Sequence, residues 1–381
     1  MNYIFISPNY PAGHWRYVAA LRNAGHNVLG IGDAGDETFS PELRGSLTEY
    51  YRVGDLHDYD SVYRACAYFV GRYGRIDDIE SLNWYWVDLV ETLNLEFTAP
   101  HITVEEHYAA IAAAYSAAEK LPPFTVVSST RKATAFAEEH GYPLLLTPAA
   151  NKRLQRGIVH DEAELRRRLR GVAKNSFLLY AQYSGEPVSI DGLCAPDEED
   201  NAVLVAVCAH VCTDDGCMYA IPLSPEQRKN ILALVEGTVA CGFFHIDAVR
   251  LESAVKGVGH KGDIVFNDIF DAPPHEYVVD CMNIEFDCDL RELWAKGSDR
   301  YEPLEQKGYA AIACRRFERS YRNAHEKVLH RLAAKLTMHT LTSEQDKAQF
   351  GDYCYIFRGE NSAELRRGIK FITEDFAHGG N

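Results

Sequence analysis

The chain has 381 residues, with 39 lysines and arginines against 55 aspartates and glutamates, a formal charge of −16. That balance argues against a broad nucleic-acid or anionic-membrane surface. With 46% hydrophobic residues there is core material for two or three domains, at roughly 150 residues per domain.

No apolar run approaches the roughly 20 residues of a membrane span. The N-terminus lacks the basic and apolar regions of a signal peptide. Ten scattered cysteines with no CxxC pair read as reduced thiols of a cytoplasmic protein.

In chain order, residues 3–7 form an apolar run of strand length, closed by Pro8-Asn9-Tyr10-Pro11. Residues 15–23 carry Tyr17, Val18 and Leu21 at helical spacing and run up to Gly25, a helix stop. Residues 27–31 are a second strand, 60–73 an amphipathic helix, 76–80 a third strand and 84–93 a third helix. Strands alternating with helices over short connections predict a parallel sheet covered on both faces.

After Pro100 the pattern changes. Residues 104–121 are alanine-rich and helical, 125–127 a strand, 131–140 a helix, 144–146 a strand and 162–169 a charged helix. Strands follow at 177–183, 188–192 and 202–211, then a helix at 225–237 and strands at 243–251 and 263–269. From Tyr309 onward the pattern is that of a smaller α/β unit, with a strand at 353–357 and a helix from Ala363.

Several motifs bear on chemistry. Gly30-Ile31-Gly32-Asp33-Ala34-Gly35 spells GxGxxG after a strand. A dinucleotide site needs a helix opening at the last glycine. An acidic stretch ending in Pro41 follows instead, so the motif reads as an ordinary loop. Ser7-Pro8-Asn9-Tyr10-Pro11 lies at the carboxyl end of the first strand, where open α/β sheets bind ligands, and reads as a rigid turn.

Cys208, His210 and Cys212 share one strand face. Same-face neighbours stand roughly 6.5–7 Å apart along a strand. That is too far for ligands of one zinc ion, so the group reads as core. His245, Asp247 and Val249 share a face of the 243–251 strand, with Asn267-Asp268 on the next. A carboxylate beside an asparagine or second carboxylate suits Mg²⁺; the bland alternative is a surface pair or a salt bridge with Arg250. Asn151-Lys152-Arg153-Leu154-Gln155-Arg156-Gly157 is a basic loop, able to hold phosphate or simply solvated. No Walker loop, GxSxG or HExxH occurs.

Taken together, these segments resemble the ATP-grasp superfamily, in particular the carboxylate–amine ligase-like proteins related to the carbamoyl-phosphate synthase large subunit and biotin carboxylase. Residues 7–11, 27–33, 50–53 and 76–83 look like the family's N-terminal domain. Residues 133–148 resemble the start of its lid, written "gyPvvvKP". Gly185-Glu186-Pro187-Val188-Ser189-Ile190-Asp191-Gly192 matches "GeexSvDG". Residues 242–251 look like the metal-bearing strand, Ile264-Val265-Phe266-Asn267 stands in the place of "xEvN", and 289–295 resemble the helix that follows.

The resemblance implies an α/β fold in three parts: a Rossmann-like N-terminal domain over 1–103, a grasp domain over 104–300 with a small lid subdomain at 121–183, and a C-terminal appendage over 301–381. It also implies a ligase in which Mg²⁺ and ATP phosphorylate a small carboxylate and an amine attacks the acyl phosphate. Asp247 and Asn267 would hold Mg²⁺. Glu186 and Asp191 would shape the nucleotide cleft, and Lys152 or Arg153 would contact phosphates. Such a protein needs no nucleic acid or membrane partner and leaves room for a homodimer.

Departures from the pattern point the other way. The lid lysine is Thr147, and the glycine-rich phosphate loop is residues 149–155, rich in alanine and charge. The lysine expected near 110–118 is missing, as is the acidic residue expected within 179–183. The metal-ligand glutamate is Val265 and the arginine after it Ile269. Lys152, Arg153 or Arg156 could replace a lysine. Asp268 could replace the glutamate, although strand alternation turns it away from Asn267. The second reading is therefore a pseudoenzyme that keeps the fold as a binding or protein-interaction module.

Overall fold

In the computed structural model the described residues are 1–98, 121–148, 157–171, 177–197, 202–238, 242–256, 258–270, 272–297 and 302–376. The predicted helix at 104–121 and the basic loop with Lys152, Arg153 and Arg156 lie outside them, apart from the ends of each segment. The chain divides into two compact units, Met1–Ser184 and Gly185–Asn381. Among the described residues no helix is long and apolar enough to cross a membrane.

The first unit begins with β1 (Asn2–Ile6), β2 (Asn27–Gly32), β3 (Glu49–Arg52) and β4 (Asp78–Glu80). They form a sheet in the order β3-β2-β1-β4, every pair parallel. Ile4, Ile6, Leu29 and Ile31 pack against Val62, Cys66 and Phe69 of the Tyr59–Tyr73 helix and Leu93 of Val87–Phe97. Asp58 caps Tyr59–Tyr73 by accepting from the Ser61 N–H, and Gly74, at φ +87°, closes it.

No α-helix opens at Gly35; a 3-10 turn, Asp36–Thr38, follows it. Tyr50 donates its hydroxyl to the Ala34 carbonyl at 2.7 Å, and a Cβ on Gly32 would stand 2.7 Å from that hydroxyl oxygen. The loop's close approach is thus made to its own chain. The Pro41–Ser46 helix and β3 follow, neither of which periodicity had predicted; both are too short to develop a repeat.

A second sheet in this unit comprises β5 (Phe124–Val126), β6 (Leu144–Pro148), β7 (Gly157–Val159) and β8 (Phe177–Ala181) in the order β5-β8-β6-β7, all antiparallel. Helices Thr130–His140 and Glu162–Arg168 close its core on Leu144, Leu146 and Leu179. Thr147 is fully buried in β6.

The second unit holds an eight-stranded sheet in the order β13-β12-β9-β10-β11-β14-β16-β15. Its members are β9 (Gly185–Pro196), β10 (Ala202–Cys212), β11 (Met218–Ile221), β12 (Gly242–Leu251), β13 (Ile264–Phe270), β14 (Tyr309–Arg315), β15 (Leu336–Leu341) and β16 (Tyr353–Gly359). Met218 pairs with Ile312 and Tyr219 with Ala311. The strands after residue 301 therefore continue the same sheet.

Glycine at 192 has a local cause. A Cβ there would lie 2.2 Å from the Phe244 ring and 2.7 Å from the Ala206 carbonyl. Only glycine lets β9 pass between β10 and β12 at this point.

Candidate functional site

Register brings the site together in the second unit. Across β10, β9, β12 and β13, one row runs Cys208, Asp191, His245, Phe270. The next runs His210, Ser189, Asp247, Asp268. Residues directly opposite one another share a face, so these eight side chains stand on one side of the sheet. An irregularity between Asp247 and Ala248 makes Asp268 the register partner of Asp247. Asn267 is the extra residue of that bulge.

The polar members form a continuous chain. Glu285, from the Glu276–Phe286 helix, bonds His210 Nε2 through Oε1 at 3.0 Å. His210 Nδ1 lies 4.0 Å from Asp191 Oδ2. Asp191 Oδ1 is 2.8 Å from His245 Nδ1, and His245 Nε2 is 3.1 Å from Asp247 Oδ1. Ser189 donates its hydroxyl to Asp191 Oδ2 at 2.5 Å. Glu285 also accepts from the Ala310 N–H and from Gln306 Nε2, each at 3.1 Å.

Burial grades along the chain. Glu285 and Asp191 are wholly inaccessible, the His245 side chain is 18% exposed and that of Asp247 41%. The path thus runs from the core to solvent.

The electrostatics follow from this burial. Desolvation opposes a charge on His245, but the Asp191 carboxylate, by charge and hydrogen bond, and Asp247 outweigh it, and the imidazole is pushed up to about 10. It is a resident cation at neutral pH. Phe270 stacks beside it, 5.8 Å between ring centroids and 20° between planes. His210 is raised too, with burial opposed by Glu285 and then Asp191. Burial, then Glu285 and Asp191, holds the Cys208 thiol well above its usual range. Burial, with Asp191 adding to it, pushes Cys212 up to about 12.

The residues expected from the sequence divide. Asp191 sits at the centre of the network, between two histidines, and Asp247 is its outer end. Asp268 is buried opposite Asp247, with Oδ1 accepting from the Ile269 N–H at 2.9 Å; Asn267 is also buried. Glu186 is elsewhere: it pairs with Arg250 Nε at 2.8 Å, directly across β9 and β12. The Arg250 salt bridge weighed as an alternative for Asp247 thus forms with Glu186 instead. Lys152 and Arg153 lie outside the described residues.

Ser189 and Glu285 are not among the candidates, His210 reads as core from the sequence, and His245 enters there only as sharing a strand face with Asp247. The signal for His245 was present, two residues before Asp247 on one strand face. Nothing local marks Glu285, which lies 75 residues after His210.

Solved structures of ligases and synthetases share this α/β fold. No family model matches the sequence, and no curated protein matches it. Among solved structures the chain is similar to the L-amino acid ligase of Bacillus licheniformis, with TM-score 0.67 and 12% identity over 97% of this chain and 96% of that one. It is similar to the N5-carboxyaminoimidazole synthetase of Staphylococcus aureus complexed with ADP, at TM-score 0.62 and 11% identity over 96% and 95%. The biotin carboxylase domain of the Hydrogenobacter thermophilus 2-oxoglutarate carboxylase, in complex with MgADP, ADP and bicarbonate, gives TM-score 0.62 and 14% identity over 98% and 90%.

Proposed function

We propose that this chain is a catalytically silent ATP-grasp-fold protein, retained as a binding or protein-interaction module. The observation that carries the reading is His245, whose Nε2 stands 3.1 Å from Asp247. In the resemblance Asp247 would serve Mg²⁺. Here the carboxylate already has a cation beside it, one that Asp191 holds protonated. Two unit charges 4 Å apart interact by about 4 kcal/mol at an effective dielectric of 20, and a divalent ion doubles that repulsion. The donor set therefore fits Mg²⁺ poorly.

Two features add weight. Thr147 stands where the resemblance implies a phosphate-binding lysine, and it is fully buried. Val265 stands where it implies a metal-ligand glutamate. Phosphoryl transfer rests on positioning and on cations. Each lost preorganised group costs roughly 10²–10³ in rate.

One observation favours a second reading, an ATP-dependent ligase acting on a small carboxylate and an amine. Asp247 and Asp268 face each other across neighbouring strands. Like charges in register are destabilising, and a bound cation would relieve them. In that reading Asp247, Asp268 and Asn267 supply oxygen donors to Mg²⁺, which would offset charge on ATP.

Thermal melting with and without millimolar Mg²⁺-ATP separates the two. A ligand at 100 times its dissociation constant stabilises its protein by about 2.7 kcal/mol. The proposal expects no shift in the wild type and a gain of Mg²⁺ response in His245→Gln. A magnesium-dependent wild-type shift that Asp247→Ala abolishes overturns it in favour of the ligase.

A further inference from the structure

The inner end of the network has a composition that the proposed function does not use. Cys208, His210 and Glu285 each place one donor atom so that all lie within 4.8 Å of one another. All three residues are buried, at 1%, 1% and 0% exposure. The spacing argument against zinc assumed donors spaced like the strand backbone. The side chains instead converge, with Cys208 Sγ 3.9 Å from His210 Nδ1. The third donor comes from the Glu276–Phe286 helix, which packs on this face, and Cys212 is not part of the group.

We infer that Cys208, His210 and Glu285 form a binding site for a borderline-soft divalent cation of the zinc type, distinct from any magnesium site at Asp247.

Sulfur, nitrogen and oxygen donors together suit zinc, and a thiolate does not suit Mg²⁺. A tetrahedral ion with bonds of about 2.0–2.3 Å holds its donors roughly 3.3–3.8 Å apart. Glu285 Oε1 meets His210 at Nε2, 3.0 Å away, whereas the Cys208 contact is to the other ring nitrogen, Nδ1. With one ring nitrogen serving one ion the three donors lie within 4.8 Å, so the side chains must draw together to close on it. Charge also balances. A 2+ ion replacing the thiol proton and the proton shared by His210 and Glu285 leaves the cluster's net charge unchanged. The ion is therefore exchanged for two protons, with no added buried charge.

Outer support is present as well. Gln306 donates to the second Glu285 oxygen at 3.1 Å, and Gln306 lines a cavity of about 360 Å³ with Arg228 and Tyr309. Gln306 thus stands between the cavity and the cluster. The Ala310 N–H and Gln306 fix the carboxylate, as partners of ligating carboxylates commonly do. Bound metal would tie β10 to the helix across the sheet face.

The test uses the full chain, stripped with a chelator and titrated with Co²⁺ and then Zn²⁺ in excess Mg²⁺ without nucleotide. One Co²⁺ per chain is expected, with a near-ultraviolet thiolate-to-cobalt charge-transfer band that one equivalent of Zn²⁺ abolishes. Cys208→Ser should remove the band, His210→Gln and Glu285→Gln should weaken binding at least tenfold, and Cys66→Ser, a buried thiol of the other unit, should leave it unchanged. Absence of a charge-transfer band in the folded wild type, or its persistence in Cys208→Ser, overturns the assignment. If Cys208→Ser fails to fold by circular dichroism, Glu285→Gln decides: a band with unchanged cobalt affinity in that variant equally overturns it.

Discussion

Asp191→Asn tests the network at its centre. The wild-type carboxylate is wholly buried and holds His245 Nδ1 at 2.8 Å and the Ser189 hydroxyl at 2.5 Å. Asparagine keeps the shape, removes the charge and leaves one acceptor oxygen for two donors. Of its two carboxylate partners His245 then retains Asp247, whose side chain is 41% exposed and correspondingly weakened by solvent.

Removing one member of a buried ion pair costs roughly 3–5 kcal/mol. A second route gives a similar figure. Raising an imidazole from 6.5 to about 10 favours its charged form by roughly 5 kcal/mol, and Asp191 supplies the larger share. A base whose folded pKa is raised contributes stability that is complete below its unfolded value and is lost as pH climbs through the folded one. Wild-type stability should therefore fall between pH 6.5 and about 10, and Asp191→Asn should fall less over that window.

Urea denaturation of the metal-free chain at pH 6 and pH 9.5, following the transition of the second unit, measures both effects. A loss under about 1 kcal/mol at pH 6, or a pH profile parallel to the wild type, would refute the reasoning.

Gly192→Ala should destabilise the second unit by at least about 1–3 kcal/mol, because the new methyl meets the Phe244 ring and the Ala206 carbonyl; an unchanged urea midpoint would contradict that packing. Glu186→Ala should cost under about 1 kcal/mol, since its pair with Arg250 is 40% and 34% exposed; equilibrium unfolding checks it, and a cost as large as that of Asp191→Asn would show Glu186 to be part of the buried network. In the first unit, burial holds the Asp78 carboxyl up at about 6, with the Ile79 N–H opposing and Asp77 adding to the rise. An acid raised in this way favours the fold while protonated and penalises it once ionised. Asp78→Asn should therefore raise the melting temperature at pH 7.5, by up to about 3 kcal/mol in stability, with the gain fading toward pH 4; an equal gain at both pH values would exclude this cause.

Much of the fold was legible in the residues themselves. Parallel strands buried on both faces leave apolar runs such as 3–6 and 27–31, and amphipathic helices leave a 3.6-residue period, so the N-terminal alternation could be read directly. The Gly185–Gly192 motif was legible through the resemblance alone; the structure supplies the reason for its last glycine, since a Cβ at 192 would meet Phe244 and Ala206. Short elements such as β3 and the Pro41–Ser46 helix could not, having too few residues for a period.

The site was only half legible. Residue type and strand alternation singled out Asp247 and the shared face of Cys208 and His210, and the resemblance singled out Asp191. Tertiary structure decided their partners. Strand register placed His245 against Asp191, a single bulged residue made Asp268 rather than Asn267 the partner of Asp247, and a helix distant in sequence brought Glu285 onto His210. Alternation along a strand is set by local backbone geometry, which the sequence carries. Which side chains then meet, and whether they keep or lose their protons, depends on pairing and burial between segments far apart in the chain.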